Sequence, residues 1–311
     1  MNRTEEIVKL GLLKKSGKIK PEELKNHYIK CNTINDLDLT LKLYRIVSYK
    51  RIIESLKNKC LDMSNPSTWE DPDETYLLNN RRIDLTNGTT VSLDRIKKRL
   101  YCQCWSINEE SEALWKIRSL KENGYRMVYF ENCEPVKIKY SVEDGAVCFE
   151  NYEMVRIKSS GDKLIKSLFD INNPLHSQSC FIGRVKYLNK EDINKSRENK
   201  VSECVICDGA MPMIESLFFK QNAYEYENEV RLVFLAPEHI DEDYCYEKKI
   251  WEKHHQFNID INDVIEEITF HPKLDDDKCA EMKTELGKLG YNTKNINKSQ
   301  IFTSDDRTLL F

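Results

Sequence analysis

The sequence predicts an α+β fold: a largely antiparallel or split sheet with flanking helices and an N-terminal helical arm. Three observations lead to it. Segments with strand periodicity and segments with helix periodicity follow one another in mixed order, without the regular β-α alternation of a doubly wound sheet. No internal repeat and no linker rich in Gly, Pro or Ser divides the chain. With 311 residues, 40% of them hydrophobic, the chain can bury a substantial core, and only ten glycines and eight prolines exclude a collagen-like or low-complexity protein.

Residues 1–40 read as a polar helical arm, with Ile7, Leu10 and Leu13 on one face and Pro21 placed to open a helix. The body is expected to run over residues 41–311. Leu41, Leu43, Tyr44, Ile46 and Val47 suggest its first strand, and Ile52, Ile53 and Leu56 give residues 48–58 a helical stripe. Leu61 to Ser64 is the second strand. Asn65-Pro66-Ser67 and Asp71-Pro72-Asp73 stop it and predict a long loop over 65–100 that contains Asn87-Gly88. Further strands are expected at 100–105, 127–130, 136–142, 180–188, 231–235 and 265–270, and helices at 109–122, 160–169, 208–221 and 275–290.

Charge and composition narrow the function classes. The 48 basic and 52 acidic side chains leave a net charge of −4, so no global positive field draws the chain to nucleic acid or to an anionic membrane. No stretch reaches the roughly 20 apolar residues of a membrane span, and the N-terminus lacks a secretory pattern. The expectation is a soluble cytoplasmic protein without membrane partners. Eleven cysteines in a chain of this size suit reduced thiols better than a disulfide framework. Cys102-x-Cys104 and Cys204-x-x-Cys207, with His254, His255 and His271, offer donors for zinc, but Cys102 and Cys104 lie in one strand and face the same side; no metal site is expected. Phosphate-loop, nucleophile-elbow and zinc-protease motifs are absent.

Two constellations carry candidate chemistry. In Tyr226-Glu227-Asn228-Glu229-Val230-Arg231, an extended chain puts Glu227 and Glu229 on one face. Either they form a solvated strand end with Glu229 paired to an arginine, or they are a carboxylate pair facing a cleft. Tyr44-Arg45 places a guanidinium in an apolar strand, either as an internal salt bridge or as a bidentate phosphate clamp. Ser64, at a strand end, is a cap or turn hydroxyl. Arg95, Lys97, Lys98 and Arg99 form a basic cluster, either a solvated face or a contact for phosphates.

Taken in order, these segments resemble a bacterial family of unknown function common in mobile elements and defence islands. Its Tyr-Arg strand, Ser-x-Pro and Asp-Pro loop, Trp-bearing helix with its following strand, Tyr-Glu-x-Glu-x-Arg strand and late Ile-x-x-Ile strand have counterparts here. They are Leu43-Tyr44-Arg45, Ser64-Asn65-Pro66 with Asp71-Pro72, Leu114-Trp115 leading to Arg126-Met127-Val128-Tyr129, Tyr226 to Arg231, and Ile265 to Ile268. Tyr224, Arg118 and Trp69-Glu70 depart from the family's usual residues. That framework is in turn similar to the ADP-ribosyltransferase fold, which implies a split, mostly antiparallel sheet with flanking helices.

The resemblance implies a cytoplasmic ADP-ribosyltransferase, a glycosyltransferase that uses NAD as co-substrate and acts as a toxin or antiviral defence effector. Glu229 would stabilise the ribosyl cation and Glu227 would orient or deprotonate the acceptor. Arg45 and Tyr44 would hold the NAD phosphates, Ser64 would orient the glutamate or ribose, and Tyr226 or Trp105 would stack on nicotinamide. The acceptor would be a macromolecule, RNA or DNA included, docked through Arg95, Lys97, Lys98 and Arg99, and a cognate antitoxin or inhibitor protein is implied. An NAD glycohydrolase, or a non-enzymatic sensor or binding module, are the alternatives.

Overall fold

The computed structural model describes residues 9–10, 12–13, 16–69, 71, 74–76, 82–84, 90–92, 94–121, 125–129, 135–139, 152–169, 179–206, 210–236 and 254–301. It is α+β, with a mixed, mostly antiparallel sheet flanked by helices. In chain order the elements are α1 (Pro21–Cys31), β1 (Thr33–Ile34), β2 (Lys42–Ser48), α2 (Tyr49–Asn58), β3 (Cys60–Ser64), β4 (Arg82–Asp84), β5 (Thr90–Ser92), α3 (Asp94–Arg99) and β6 (Leu100–Ser106). Next come α4 (Glu112–Lys121), β7 (Tyr125–Tyr129), β8 (Pro135–Lys139), β9 (Met154–Ser160), α5 (Gly161–Leu168), β10 (Cys180–Arg184), β11 (Lys186–Leu188) and α6 (Lys190–Ile206). The series closes with α7 (Ala210–Ser216), β12 (Phe219–Gln221), β13 (Glu229–Leu235), β14 (His254–Asn258), α8 (Ile261–Val264), β15 (Glu267–Phe270), α9 (Asp276–Lys288) and β16 (Ile296–Lys298). Among the described residues no helix is long and apolar enough to cross a membrane.

Contacts divide the chain into two compact units. The first comprises Met1–Leu43, Cys60–Ile107 and Ser160–Ile259, and the second Tyr44–Lys59, Asn108–Ser159 and Asp260–Phe311.

In the first unit, strands lie in the order β1-β10-β13-β6; β3 pairs with β6, and β14 pairs with β3. Only β1–β10 is parallel within this set. The central strand β13, Glu-Val-Arg-Leu-Val-Phe-Leu, is buried over its first six residues. Alternation sends Glu229, Arg231 and Val233 to one face and Val230, Leu232 and Phe234 to the other. Register sets Arg231 beside Cys104 on β6 and Gly183 on β10, and Val233 beside Cys102 and Phe181. The end of that face holding Val233, Phe181 and Cys102 is covered by Met213, Ile214, Leu217 and Phe218, from α7 and the residues after it. On the other face Phe234 meets His255 and Phe257 of β14. Two ribbons complete the unit: parallel β11–β12 and antiparallel β4–β5.

Helix α1 opens at Pro21, whose missing N–H lies where a helix leaves donors unpaired, and Glu22 and Glu23 complement its positive end. It buries Leu24, Tyr28 and Ile29, and Asn32 then donates its side-chain amide to the Cys180 carbonyl at 2.8 Å. The 65–100 segment is not the structureless loop expected. It contains a short 3-10 turn at Pro66–Thr68, the β4–β5 hairpin and α3, while Asn87-Gly88 and Pro72 lie outside the described residues.

In the second unit β2, β9, β15 and β16 lie side by side in that order. Helix α2 buries Tyr49, Ile52, Ile53 and Leu56 at helical spacing and ends at Lys59, whose φ of 47° is left-handed. Helix α9 starts at Asp275, which accepts from the amides of Asp277 and Lys278. Arg156 on β9 is buried; it pairs with Glu110, donates to the Glu109 carbonyl, and reaches Thr269 Oγ1 at 3.0 Å.

Candidate functional site: a ring of carboxylates and cations

Within the first unit, five charged side chains from distant parts of the sequence meet. Arg231 grips Glu229, two residues before it on the same strand face, through Nε to Oε1 at 2.8 Å and Nη2 to Oε2 at 3.0 Å. Its Nη2 also pairs with Glu74, and Nη1 donates to the Leu217 carbonyl just past the end of α7. Lys220, on β12, places Nζ 3.2 Å from Glu229 Oε2, 3.0 Å from Glu74 Oε1 and 2.6 Å from Glu227 Oε2. Glu74, Arg231, Glu229 and Lys220 thus close a ring of alternating charge. Glu227 hangs from it on Lys220 and supplies the one unbalanced negative charge.

Burial is graded across the group. The Arg231 side chain is 0% exposed, Glu229 5%, Lys220 8% and Glu74 9%, whereas Glu227 reaches 14%. Aromatic rings cover both cations: Trp69 lies 4.5 Å from the Arg231 guanidinium and Tyr224 4.6 Å from Lys220 Nζ. Burial alone would push the Glu229 carboxyl up, but Arg231 and Lys220 outweigh it and hold the group at about 2. For Lys220, burial works against the charge, yet Glu229, Glu74 and Glu227 raise its pKa further above the ordinary lysine range. Cys104, facing Glu229, is driven well up by burial and stays a thiol. Tyr187, directly opposite Lys220 in the β11–β12 ribbon, accepts the Glu229 amide N–H at 2.7 Å, and burial pushes its phenol up to about 12.

The local backbone explains how Glu227 and Glu229 come together. Extended geometry is not the reason, because the strand begins only at Glu229. Glu227 ends a 3-10 turn over Asn222–Glu227, and Asn228 takes a left-handed φ of 44°. The Glu227 carbonyl is held by Ser106 Oγ at 2.6 Å. Nor is Glu229 on a solvated strand end: its arginine partner lies in the core, two residues along the same strand.

The other expected residues are distributed as follows. Ser64 ends β3 and directs its hydroxyl at the Cys102 carbonyl, 3.5 Å away. Tyr226 is 44% exposed beside Glu227. Trp105 is buried and donates its indole N–H to Gln103, so its ring is not an open stacking surface. Tyr44 and Arg45 belong to the second unit, where the buried Tyr44 ring lies 5.4 Å from the Arg156 guanidinium. In the basic cluster Lys98 is exposed, Lys97 is half-buried, and Arg99 donates from Nε to the Ala236 carbonyl at 2.6 Å; the Arg95 side chain lies outside the described residues. Cys102 and Cys104 share a face as free thiols, while Cys204 and Cys207 are not described at side-chain level. Among the described residues no group of three or more His, Cys, Asp or Glu is arranged to hold a metal ion.

Sequence reasoning missed Lys220, Glu74 and Tyr187. Lys220 carried a faint signal, as a single charge following Leu217-Phe218-Phe219. Comparison with known proteins returned no matching family model, no matching curated protein and no matching solved structure.

Proposed function

We propose that the chain is an NAD-dependent ADP-ribosyltransferase with an ADP-ribosyltransferase-like fold, acting as a toxin or antiphage effector on a macromolecule. The observation that supports it is the Glu227–Glu229 pair: two carboxylates on one ammonium, one deep and fixed, the other at the edge of the ring. In this reading the bond between the ribose anomeric carbon and the nicotinamide nitrogen breaks, and the electron pair leaves with neutral nicotinamide. The acceptor nucleophile bonds to the anomeric carbon and gives up its proton to a carboxylate.

The ring suggests a division of roles different from the one the resemblance implies. Glu229 has both oxygens engaged by cations, so it fixes the charge field and the turn. Glu227 uses one oxygen on Lys220, and its other oxygen has no hydrogen-bond partner among the described residues. That oxygen is the one free to act on ribose or acceptor. Ser64 and Tyr226 belong to the same unit as the ring. Lys97, Lys98 and the rest of the basic cluster would dock a nucleic-acid acceptor, and a cognate inhibitor protein would hold the activity in check.

A second reading is favoured by the saturation of Glu229: a non-enzymatic binding module whose ring is a structural clasp. Incubating the protein with NAD labelled in its adenylate half, with RNA, DNA or cell lysate, separates these readings. Label on one acceptor class, with nicotinamide released and both lost in Glu227→Gln, is the expected result. Free ADP-ribose without transfer identifies a glycohydrolase. No nicotinamide release with any acceptor overturns the enzymatic reading.

A further inference from the structure

Lys220 joins three carboxylates that would otherwise repel one another, and its role toward Glu227 is distinct from its role in the ring. Arg231 is already engaged by Glu229, Glu74 and the Leu217 carbonyl and makes no contact with Glu227. Among the described residues, the ammonium of Lys220 is therefore the only cation on Glu227. Because Glu227 Oε2 and Glu229 Oε2 lie 2.6 and 3.2 Å from one nitrogen, the two oxygens sit within about 6 Å of each other, where like charges interact strongly in a buried setting. The groups facing this point are Glu74, Glu229, Arg231, Tyr187, Tyr224 and Cys104. Of these only Arg231 is a second cation, and its hydrogen bonds go to Glu229, Glu74 and the Leu217 carbonyl.

We propose that Lys220 is the positioning residue of the Glu227 carboxylate, holding it in one orientation beside Glu229. Its catalytic consequence rests on the transferase reading above, while its effect on Glu227 does not. The backbone is built for this task. Lys220 sits in register opposite Tyr187 on a two-stranded ribbon, so the ribbon that delivers the ammonium also delivers the hydroxyl that holds the Glu229 amide.

The test uses full-length protein with 13C-labelled glutamate carboxyls, the Glu227 resonance being assigned by its loss in Glu227→Gln. Lys220→Met is expected to move and broaden the Glu227 carboxyl resonance as the side chain loses its single orientation, and Lys220→Arg to restore one sharp line. Should Lys220→Met fail to fold, Lys220→Gln takes its place. An unchanged Glu227 resonance in the folded, charge-free variant overturns the proposal. In parallel, NAD cleavage is expected to lose at least about 10-fold in kcat with little change in KM, and Lys220→Arg to recover most of it. A rise in KM alone also overturns it. If the wild type cleaves no NAD, the transferase reading fails, and the resonance by itself decides the role of Lys220.

Discussion

Lys220 and Tyr187 stand opposite one another in a parallel two-stranded ribbon, and both reach Glu229, one through its carboxylate and the other through its backbone amide. The glutamate at the head of the central strand is therefore fixed at two points from outside that strand, besides its arginine grip within it. Such a residue is a structural keystone whatever chemistry surrounds it.

Glu229→Gln and Glu227→Gln are expected to separate stability from activity. Neutralising Glu229 takes from the buried Arg231 its two-point carboxylate partner, leaving it Glu74 alone, and should cost about 3–5 kcal/mol. Neutralising Glu227, which is at the ring's edge and has one partner, should cost about 1 kcal/mol or less, yet lower NAD cleavage about 10²-fold or more. Urea denaturation and nicotinamide release, measured on the same preparations, check both halves.

Acid should unfold the protein through this ring. The Glu229 carboxyl falls from an ordinary 4.5 to about 2 on folding, so the unfolded state binds its proton first as pH drops. Its stabilisation is complete above about pH 4.5 and is lost progressively down to about pH 2, amounting to about 3 kcal/mol. Urea midpoints between pH 6 and pH 2 should fall over that window, and the fall should be shallower in Glu229→Gln.

Gly183 is a packing requirement. A β-carbon there would lie 2.7 Å from Ile34 Cβ, 2.8 Å from the Ile34 carbonyl oxygen and 2.9 Å from a Phe218 ring carbon. Two of those three neighbours are at the backbone or its first side-chain atom, so relief requires moving β1. Gly183→Ala should cost about 1–3 kcal/mol and disturb Arg231, its partner in the β10–β13 register. Thermal unfolding measures the first effect and the Glu229 carboxyl midpoint the second.

Asn228 links the two glutamates in a left-handed conformation. Asn228→Ala should cost about 1 kcal/mol and reduce NAD cleavage by displacing Glu227, whereas Asn228→Gly should keep most of both. Comparison of the two variants by urea denaturation and nicotinamide release separates loss of the turn from loss of the Asn228 side chain.

Much of the framework was legible. The stripe Ile52, Ile53, Leu56 marked α2, and the turn at Asn65-Pro66 marked the end of β3. What escaped has physical reasons. Helix α6 is largely polar, with Ile193 its single buried residue among those described, so it lacks an apolar stripe to read. Strand β9 carries Arg156 and Lys158, which interrupt its apolar run because each is neutralised by partners far along the chain. The site divides the same way. Glu227, Glu229 and Arg231 are local and were visible, but Glu74 is 157 residues from Arg231, and no local pattern foretells so distant a pairing.

The two residues of β1 lie along the outer side of β10, with Thr33 against Ile182 and Ile34 against Gly183. A strand edge left open is a template onto which another chain can add, and β10 is apolar over Cys180, Phe181 and Ile182. By pairing with Ile182 and Gly183, Thr33 and Ile34 close that stretch of the edge to another chain. Removing residues before Asn35 should reopen it, and larger species are then expected in size-exclusion chromatography even where the ring of charges survives.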